Sequence, residues 1–194
     1  MQRYLLMVDS FSAWTGKIFG WSIVVLTLVT CFEVFMRYIL RAPTDWAPDV
    51  SRFAFGTLFM MAGAYTLSRN AHVRGDMFYR EWPVRTQAAV DIALYLLFFF
   101  PGIIALVVAG LDFANLARGV NERSSISPGG PIVWPFKYVI PIAGMLMFIQ
   151  GVVEIIRAGI AFRTGVWPQR LSDVEETVPE EVATTLQLPP VRCP

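Results

Sequence analysis

Four long apolar stretches, separated by short polar segments, limit the folds open to this chain. A helix of about 20 residues, rising ~1.5 Å per residue, crosses a hydrocarbon core ~30 Å thick. The longest uncharged run, Ile92–Leu111, matches this length, and long or aromatic residues extend the other three stretches to the interface. The sequence therefore predicts an all-α membrane protein whose four transmembrane helices cover residues 12–38, 50–68, 87–112 and 136–161, the first helix being retained rather than cleaved.

The composition agrees with a membrane protein. Charged residues make up 16% of the 194 residues, against ~25% in soluble domains. The four helices and their loops fill residues 1–171, which leaves no room for a soluble catalytic domain. Residues 172–194 are rich in acidic residues and proline, which predicts a disordered cytoplasmic tail. No basic face with interleaved aromatic residues indicates binding to nucleic acid.

The distribution of lysine and arginine predicts the orientation of the helices. With both termini in the cytoplasm, nine basic residues of the membrane part, residues 1–171, lie inside and six outside, which favours this orientation. The inner set is Arg3, Lys17, Arg69, Arg74, Arg80, Arg85, Arg157, Arg163 and Arg170. The outer set is Arg37, Arg41, Arg52, Arg118, Arg123 and Lys137.

Small residues recur seven positions apart on three of the predicted helices. Such residues lie on one helix face, where two backbones can approach closely. The pattern predicts ordinary close packing in preference to a surface adapted to a ligand. The pairs are Gly56 and Gly63, Gly102 and Ala109, and Gly144 and Gly151.

Ionisable residues within membrane helices have a structural or functional reason, because a charge in hydrocarbon is costly. Glu33 and Arg37 stand at i, i+4 and can pair along one face. A structural pair is favoured here over a proton relay through Glu33. Glu154 and Arg157, at i, i+3, are predicted to form a second structural pair. Both pairs lie near the ends of their helices, and no charge falls near the centre of a predicted span.

His72 is the single histidine of the chain. Bis-histidine haem ligation and a histidine-rich metal site need more than one, and no partners for a Ser-His-Asp triad are found at a suitable depth. Cys31 and Cys193 give no disulfide framework or metal site. The sequence predicts no catalytic, cofactor-binding or metal-binding residues. The polar segment around His72 is typical of a surface loop.

Several motifs follow one another along the chain: Glu33-x-x-x-Arg37, Trp46 with Asp49 and Arg52, His72-Val73-Arg74-Gly75-Asp76, Trp134-Pro135-Phe136-Lys137, Pro141, Gly144 and Gln150-Gly151. Their order and spacing resemble the small membrane subunit of the tripartite ATP-independent periplasmic (TRAP) transporters, and the resemblance covers most of residues 10–160. In this family adjacent acidic residues often follow the tryptophan that corresponds to Trp46, whereas here Ala47 and Pro48 precede a lone Asp49.

The resemblance implies a three-part, sodium-coupled secondary transporter in the bacterial inner membrane, taking up organic acids or related carboxylated solutes. A periplasmic solute-binding protein captures the solute and a large membrane subunit carries it. Sodium coupling is expected in that large subunit, and no cofactor in this chain. The present chain would be a static scaffold in the lipid bilayer.

The resemblance also gives candidate scaffold or partner-contact residues. We expect a charge cluster near the outer interface, formed by Glu33, Arg37, Asp49 and Arg52. A cytoplasmic contact is expected from the loop that contains His72, Arg74 and Asp76. Trp46 and Lys137 are the remaining candidate scaffold or partner-contact residues.

Two other classes of function remain open from the sequence. One is a membrane anchor of a redox complex, which the single loop histidine disfavours. The other is a small self-associating transporter, disfavoured because no charge lies near the centre of a span. A Soret band in the purified protein would indicate the first, and solute flux by the chain alone would indicate the second.

Overall fold

The computed structural model describes residues 2–69, 79, 82–127 and 129–168, and these fold into helices joined by short loops, with no β-strand in those ranges. The prediction of an all-helical protein is confirmed. The elements are α1 (Gln2–Gly20), α2 (Ser22–Tyr38), α3 (Ala47–Ser68), α4 (Val84–Leu94), a π-helical turn (Tyr95–Phe99), α5 (Phe100–Gly119), α6 (Trp134–Lys137) and α7 (Val139–Thr164).

Three helical segments in the described part of the chain are long and apolar enough to cross a membrane. They are Tyr4–Tyr38, Val84–Gly119 and Trp134–Thr164. Helix α3, which corresponds to the second of the four predicted spans, is not among them. Its first two turns contain Asp49, Ser51 and Arg52, polar residues that lower the hydropathy of this helix.

The first helical segment begins earlier than residue 12, where the sequence analysis starts the first span. Helix α1 starts at Gln2 and passes into α2 through a single non-helical residue, Trp21. The amide of Trp21 donates to the carbonyl of Ile18, at 3.2 Å, so the chain continues with little interruption. The early start places Asp9 inside a helix.

The π-helical turn Tyr95–Phe99 lies just before Pro101. Proline has no backbone N–H, so it cannot donate the usual i→i−4 hydrogen bond to Leu97. A π turn, with i→i+5 bonds, accommodates such a local defect within a longer helix. The amide of Phe100 donates to the carbonyl of Tyr95 in this pattern.

Helix α7 packs against α1, α3, α4 and α5. A Cβ atom on Gly63 would lie 2.8 Å from Sδ of Met147, and one on Gly144 would lie 2.7 Å from Cγ2 of Val107. The predicted close packing at the glycines of α3 and α7 is therefore confirmed. Gly102 on α5 has open space around it instead.

Contacts between loops and helices define two ends of the bundle. Residues 39–46 and 120–133 form one end, here called the loop end, where Glu33 and Asp49 hold the two loops. At the opposite end, Nε1 of Trp167 after α7 donates to Oε1 of Gln87 near the start of α4, at 3.2 Å. Helices α3 and α7 therefore both run from the loop end to the opposite end.

Candidate functional site

Glu33 ties the loop between α2 and α3 to α2. Its Oε1 accepts hydrogen bonds from Nη2 and Nε of Arg37, at 2.5 and 3.1 Å. Its Oε2 accepts from the backbone amide of Thr44 at 3.1 Å and from the Thr44 hydroxyl. Both carboxylate oxygens are thus occupied within the chain, which fits the structural reading better than a proton relay.

Asp49 connects α3 to the loop of residues 120–133. Only 1% of Asp49 is exposed. Its Oδ1 accepts from the Ser124 hydroxyl at 2.5 Å and its Oδ2 from the Ser127 hydroxyl. The carboxylate lies just before the predicted span of residues 50–68. Burial acts to raise its pKa, but the two serine hydrogen bonds and the charge of Arg52 outweigh this and hold the pKa below its ordinary value.

The loop that Asp49 holds is itself ordered by hydrogen bonds. An isolated antiparallel bridge joins Arg123 to Ile132. The amide of Ser124 donates to the carbonyl of Pro131, and that of Val133 to Glu122, each at 3.0 Å. This gives the loop a hairpin-like base.

Lys137 and Trp46 also lie at the loop end. Nζ of Lys137 is 2.5 Å from Oε2 of Glu122 and 3.8 Å from the centre of the Phe113 ring. Trp46 stacks on Phe32, with 5.9 Å between the ring centres. Each of these contacts joins two different elements of the chain.

The four charges expected to form one cluster divide into two networks. Glu33 and Arg37 belong to the first network. Asp49 belongs to the second, and the positive charge of the exposed Arg52 helps to lower its pKa. No hydrogen bond or ion pair among the described residues joins the two. His72, Arg74 and Asp76 lie outside the described residues.

A buried polar network joins α1 to α7. The pair predicted between Glu154 and Arg157 is confirmed, with Nη1 of Arg157 2.9 Å from Oε1 of Glu154. Nη2 of Arg157 also pairs with Oδ2 of Asp9. Nε2 of Gln150 donates to Oδ1 of Asp9 at 2.8 Å, and the Ser12 hydroxyl donates to Oε1 of Gln150 at 2.9 Å. All five side chains are buried.

The sequence analysis missed Asp9 and Ser12, and it named Gln150 only as part of the family resemblance. Polar residues at i, i+4 and i+7 share one helix face, and Gln150, Glu154 and Arg157 have this spacing on α7. Asp9 and Ser12 stand at i, i+3 on α1. Matching polar faces on two apolar helices could have indicated the contact.

Replacement of Asp49 with alanine is expected to lower the free energy of unfolding by about 1–2 kcal/mol, because two serine hydroxyls lose their acceptor. The loop should also become more sensitive to trypsin at Arg123. Thermal unfolding in mild detergent and limited proteolysis measure the two effects. Asp45→Ala removes an exposed carboxylate nearby and should change neither. Equal unfolding temperatures and equal trypsin cleavage of the two variants would contradict the role given to Asp49.

The described residues contain no group of three or more histidine, cysteine or acidic side chains placed to hold a metal ion. Two ion pairs instead join different elements: Lys137 pairs with Glu122 in the loop of residues 120–133, and Arg157 pairs with Asp9 on α1. Lys137, Arg157 and Asp9 lie on helical segments apolar enough to cross a bilayer. The fold and these networks define a membrane protein whose ionisable groups brace the bundle.

Comparison with known protein families assigns this membrane protein to one family. Residues 26–159 match the family described as tripartite ATP-independent periplasmic transporters, DctQ component. The chain belongs to this family, and so is the small permease subunit of a TRAP transporter, as the sequence resemblance indicates. The family is one of transporter components, not of enzymes. A comparison with curated proteins finds no match.

Proposed function

We propose that this chain is the static scaffold of a sodium-coupled TRAP transporter for organic acids or related carboxylated solutes. It would hold the large membrane subunit in the bacterial inner membrane, and a periplasmic solute-binding protein would deliver the solute. Sodium coupling would reside in the large subunit. Membership of the DctQ component family carries this proposal.

The internal bracing of the bundle supports a static role. A scaffold must keep its helices fixed while the partner moves, and polar contacts between membrane helices help to fix them. Arg157 joins α7 to α1, while Asp49 joins α3 to the loop of residues 120–133. Large apolar side chains remain exposed around the bundle, including Phe59 and Phe98. They would face lipid or the partner.

We further propose that α3 crosses the bilayer as a fourth span and that both termini are cytoplasmic. Helix α3 packs along α2 and α7, and its polar residues Asp49 and Arg52 stand at the loop end. Four crossings return the chain to its starting side. The excess of lysine and arginine on the side of the termini supports this orientation, which puts the loop end in the periplasm.

The candidate contacts follow from this orientation. Glu33, Arg37, Trp46, Asp49, Arg52 and Lys137 would lie near the periplasmic surface and contact the large subunit or shape the loops that do so. His72, Arg74 and Asp76 would form a cytoplasmic contact. Arg37 is the most informative of these, because its guanidinium pairs with Glu33 yet half of its side chain is exposed.

Co-purification tests the proposed function. The tagged chain, expressed in its native membrane and extracted in mild detergent, should retain a large multi-span membrane protein at equal stoichiometry. Arg37→Ala should weaken this retention and solute uptake, whereas Thr27→Ala on the same helix, whose hydroxyl bonds only to the Ile23 carbonyl, should not. Recovery of the chain alone, or with a haem or flavin subunit, would contradict the scaffold proposal and favour one of the two alternatives.

A further inference from the structure

Helix α1 lies entirely before residue 26, where the family match begins. It nevertheless contacts two helices of the matched region. Asp9 and Ser12 bond to α7, and Gly16 lies against Tyr65 of α3, so closely that a Cβ on the glycine would be 2.5 Å from Cβ of the tyrosine. The helix therefore bridges α3 and α7.

The two faces of α1 differ in a way that shows what binds it to the bundle. Its exposed face carries large apolar side chains, whereas Asp9, Ser12 and Thr15 are buried against the other helices. Burial of apolar surface gives little driving force between helices already in lipid, so interhelical hydrogen bonds and close packing must supply it. The exposed apolar residues are Tyr4, Met7, Phe11, Trp14 and Ile18.

We propose that the network of Asp9, Ser12, Gln150, Glu154 and Arg157 is a polar latch that holds α1 as a brace across α3 and α7. Asp9 is its key residue. Among the described residues it is the acidic group that reaches Arg157 from another helix, and it accepts from Gln150 as well. This inference concerns the chain itself and does not depend on the proposed partner.

Asp9 can be replaced without leaving Arg157 on α7 as an unpaired charge. When Asp9 is replaced by alanine, Arg157 still has its hydrogen bond to Glu154 on the same helix. A guanidinium and a carboxylate then remain paired, which avoids an uncompensated buried charge. Helix α1 should therefore leave its site while α3, α5 and α7 stay packed.

Cysteine labelling of the full chain in mild detergent tests this inference, in a background where Cys31 and Cys193 are serine. Ala13→Cys reports on the buried face of α1, Met7→Cys gives the rate for an exposed position, and Ala114→Cys reports on the core of α5. Asp9→Ala is compared with Ser10→Ala, a change at the exposed neighbouring residue.

In Asp9→Ala, maleimide labelling at position 13 should rise at least about tenfold, which corresponds to ~1.4 kcal/mol of docking free energy. Position 114 should stay protected, and Ser10→Ala should leave both rates unchanged. Continued protection of position 13 would overturn the inference. An equal rise at position 114 would also overturn it, because the network would then support the whole bundle rather than α1.

A charge exchange separates ion pairing from simple filling of space. Asp9→Arg alone should expose position 13, since two guanidinium groups would meet. Asp9→Arg combined with Arg157→Asp restores opposite charges across the two helices and should restore most of the protection. Labelling of the double variant as fast as that of Asp9→Arg would overturn the ion-pair basis of the latch.

Discussion

Replacement of Arg157 with alanine is expected to lower the free energy of unfolding by about 3–5 kcal/mol, because it leaves buried carboxylates without their partner. Arg157 is fully buried and bonds to both Asp9 and Glu154. Its removal takes away the positive charge that these two buried carboxylates share. The effect should exceed that of Asp9→Ala, which leaves one ion pair intact.

Unfolding of the purified protein in mixed detergent micelles measures this loss, together with the yield of folded protein from the membrane. Arg163→Ala is the matched control, because Arg163 lies on the same helix but is exposed. It should change stability by less than ~0.5 kcal/mol. If the two arginine variants unfolded at the same denaturant concentration, the buried pairs of Arg157 with Asp9 and Glu154 would not contribute to stability as described.

Substitution of Gly16 by valine is expected to cost about 3 kcal/mol, at the upper end of the range for overpacking. A Cβ at this position would meet Cβ and Cγ of Tyr65, at 2.5 and 2.7 Å. The Cβ of Tyr65 is fixed to the α3 backbone, so α1 and α3 must separate for valine to fit. The same unfolding assay measures the loss.

Gly20→Val provides the comparison on the same helix, because a Cβ on Gly20 would meet no atom within 4 Å beyond its chain neighbours and the nearby backbone of its own helix. That variant should unfold within ~1 kcal/mol of the wild type, since valine has a higher helix propensity than glycine. A large loss for Gly20→Val, or none for Gly16→Val, would show that close approach of α1 to α3 is not what requires glycine at position 16.

The helical fold could be predicted because its signals are local. The uncharged run Ile92–Leu111 indicates a membrane helix by its length alone, and Glu33 and Arg37 pair at i, i+4 as their spacing indicates. The polar first turns of α3 show the limit of the same reasoning. A count of apolar stretches includes α3, whereas length and hydropathy together do not.

Contacts between distant parts of the chain could not be predicted in the same way. Asp9 and Arg157 are 148 positions apart, and Asp49 is 75 positions from Ser124 and 78 from Ser127. A single sequence carries no local pattern that pairs such residues. Asp9 lies before residue 12, where the sequence analysis starts the first span, and its pairing with Arg157 on α7 offsets the cost of a carboxylate in a membrane helix.

The π-helical turn Tyr95–Phe99 has a consequence for how this chain is aligned with others. A π turn contains one more residue than the α turn that it replaces. Side chains of α4 are therefore rotated by about 100° relative to an uninterrupted helix leading into α5. A relative with a regular helix here would be one residue shorter, and an ungapped alignment with it would match positions of α4 that lie on different faces of the helix.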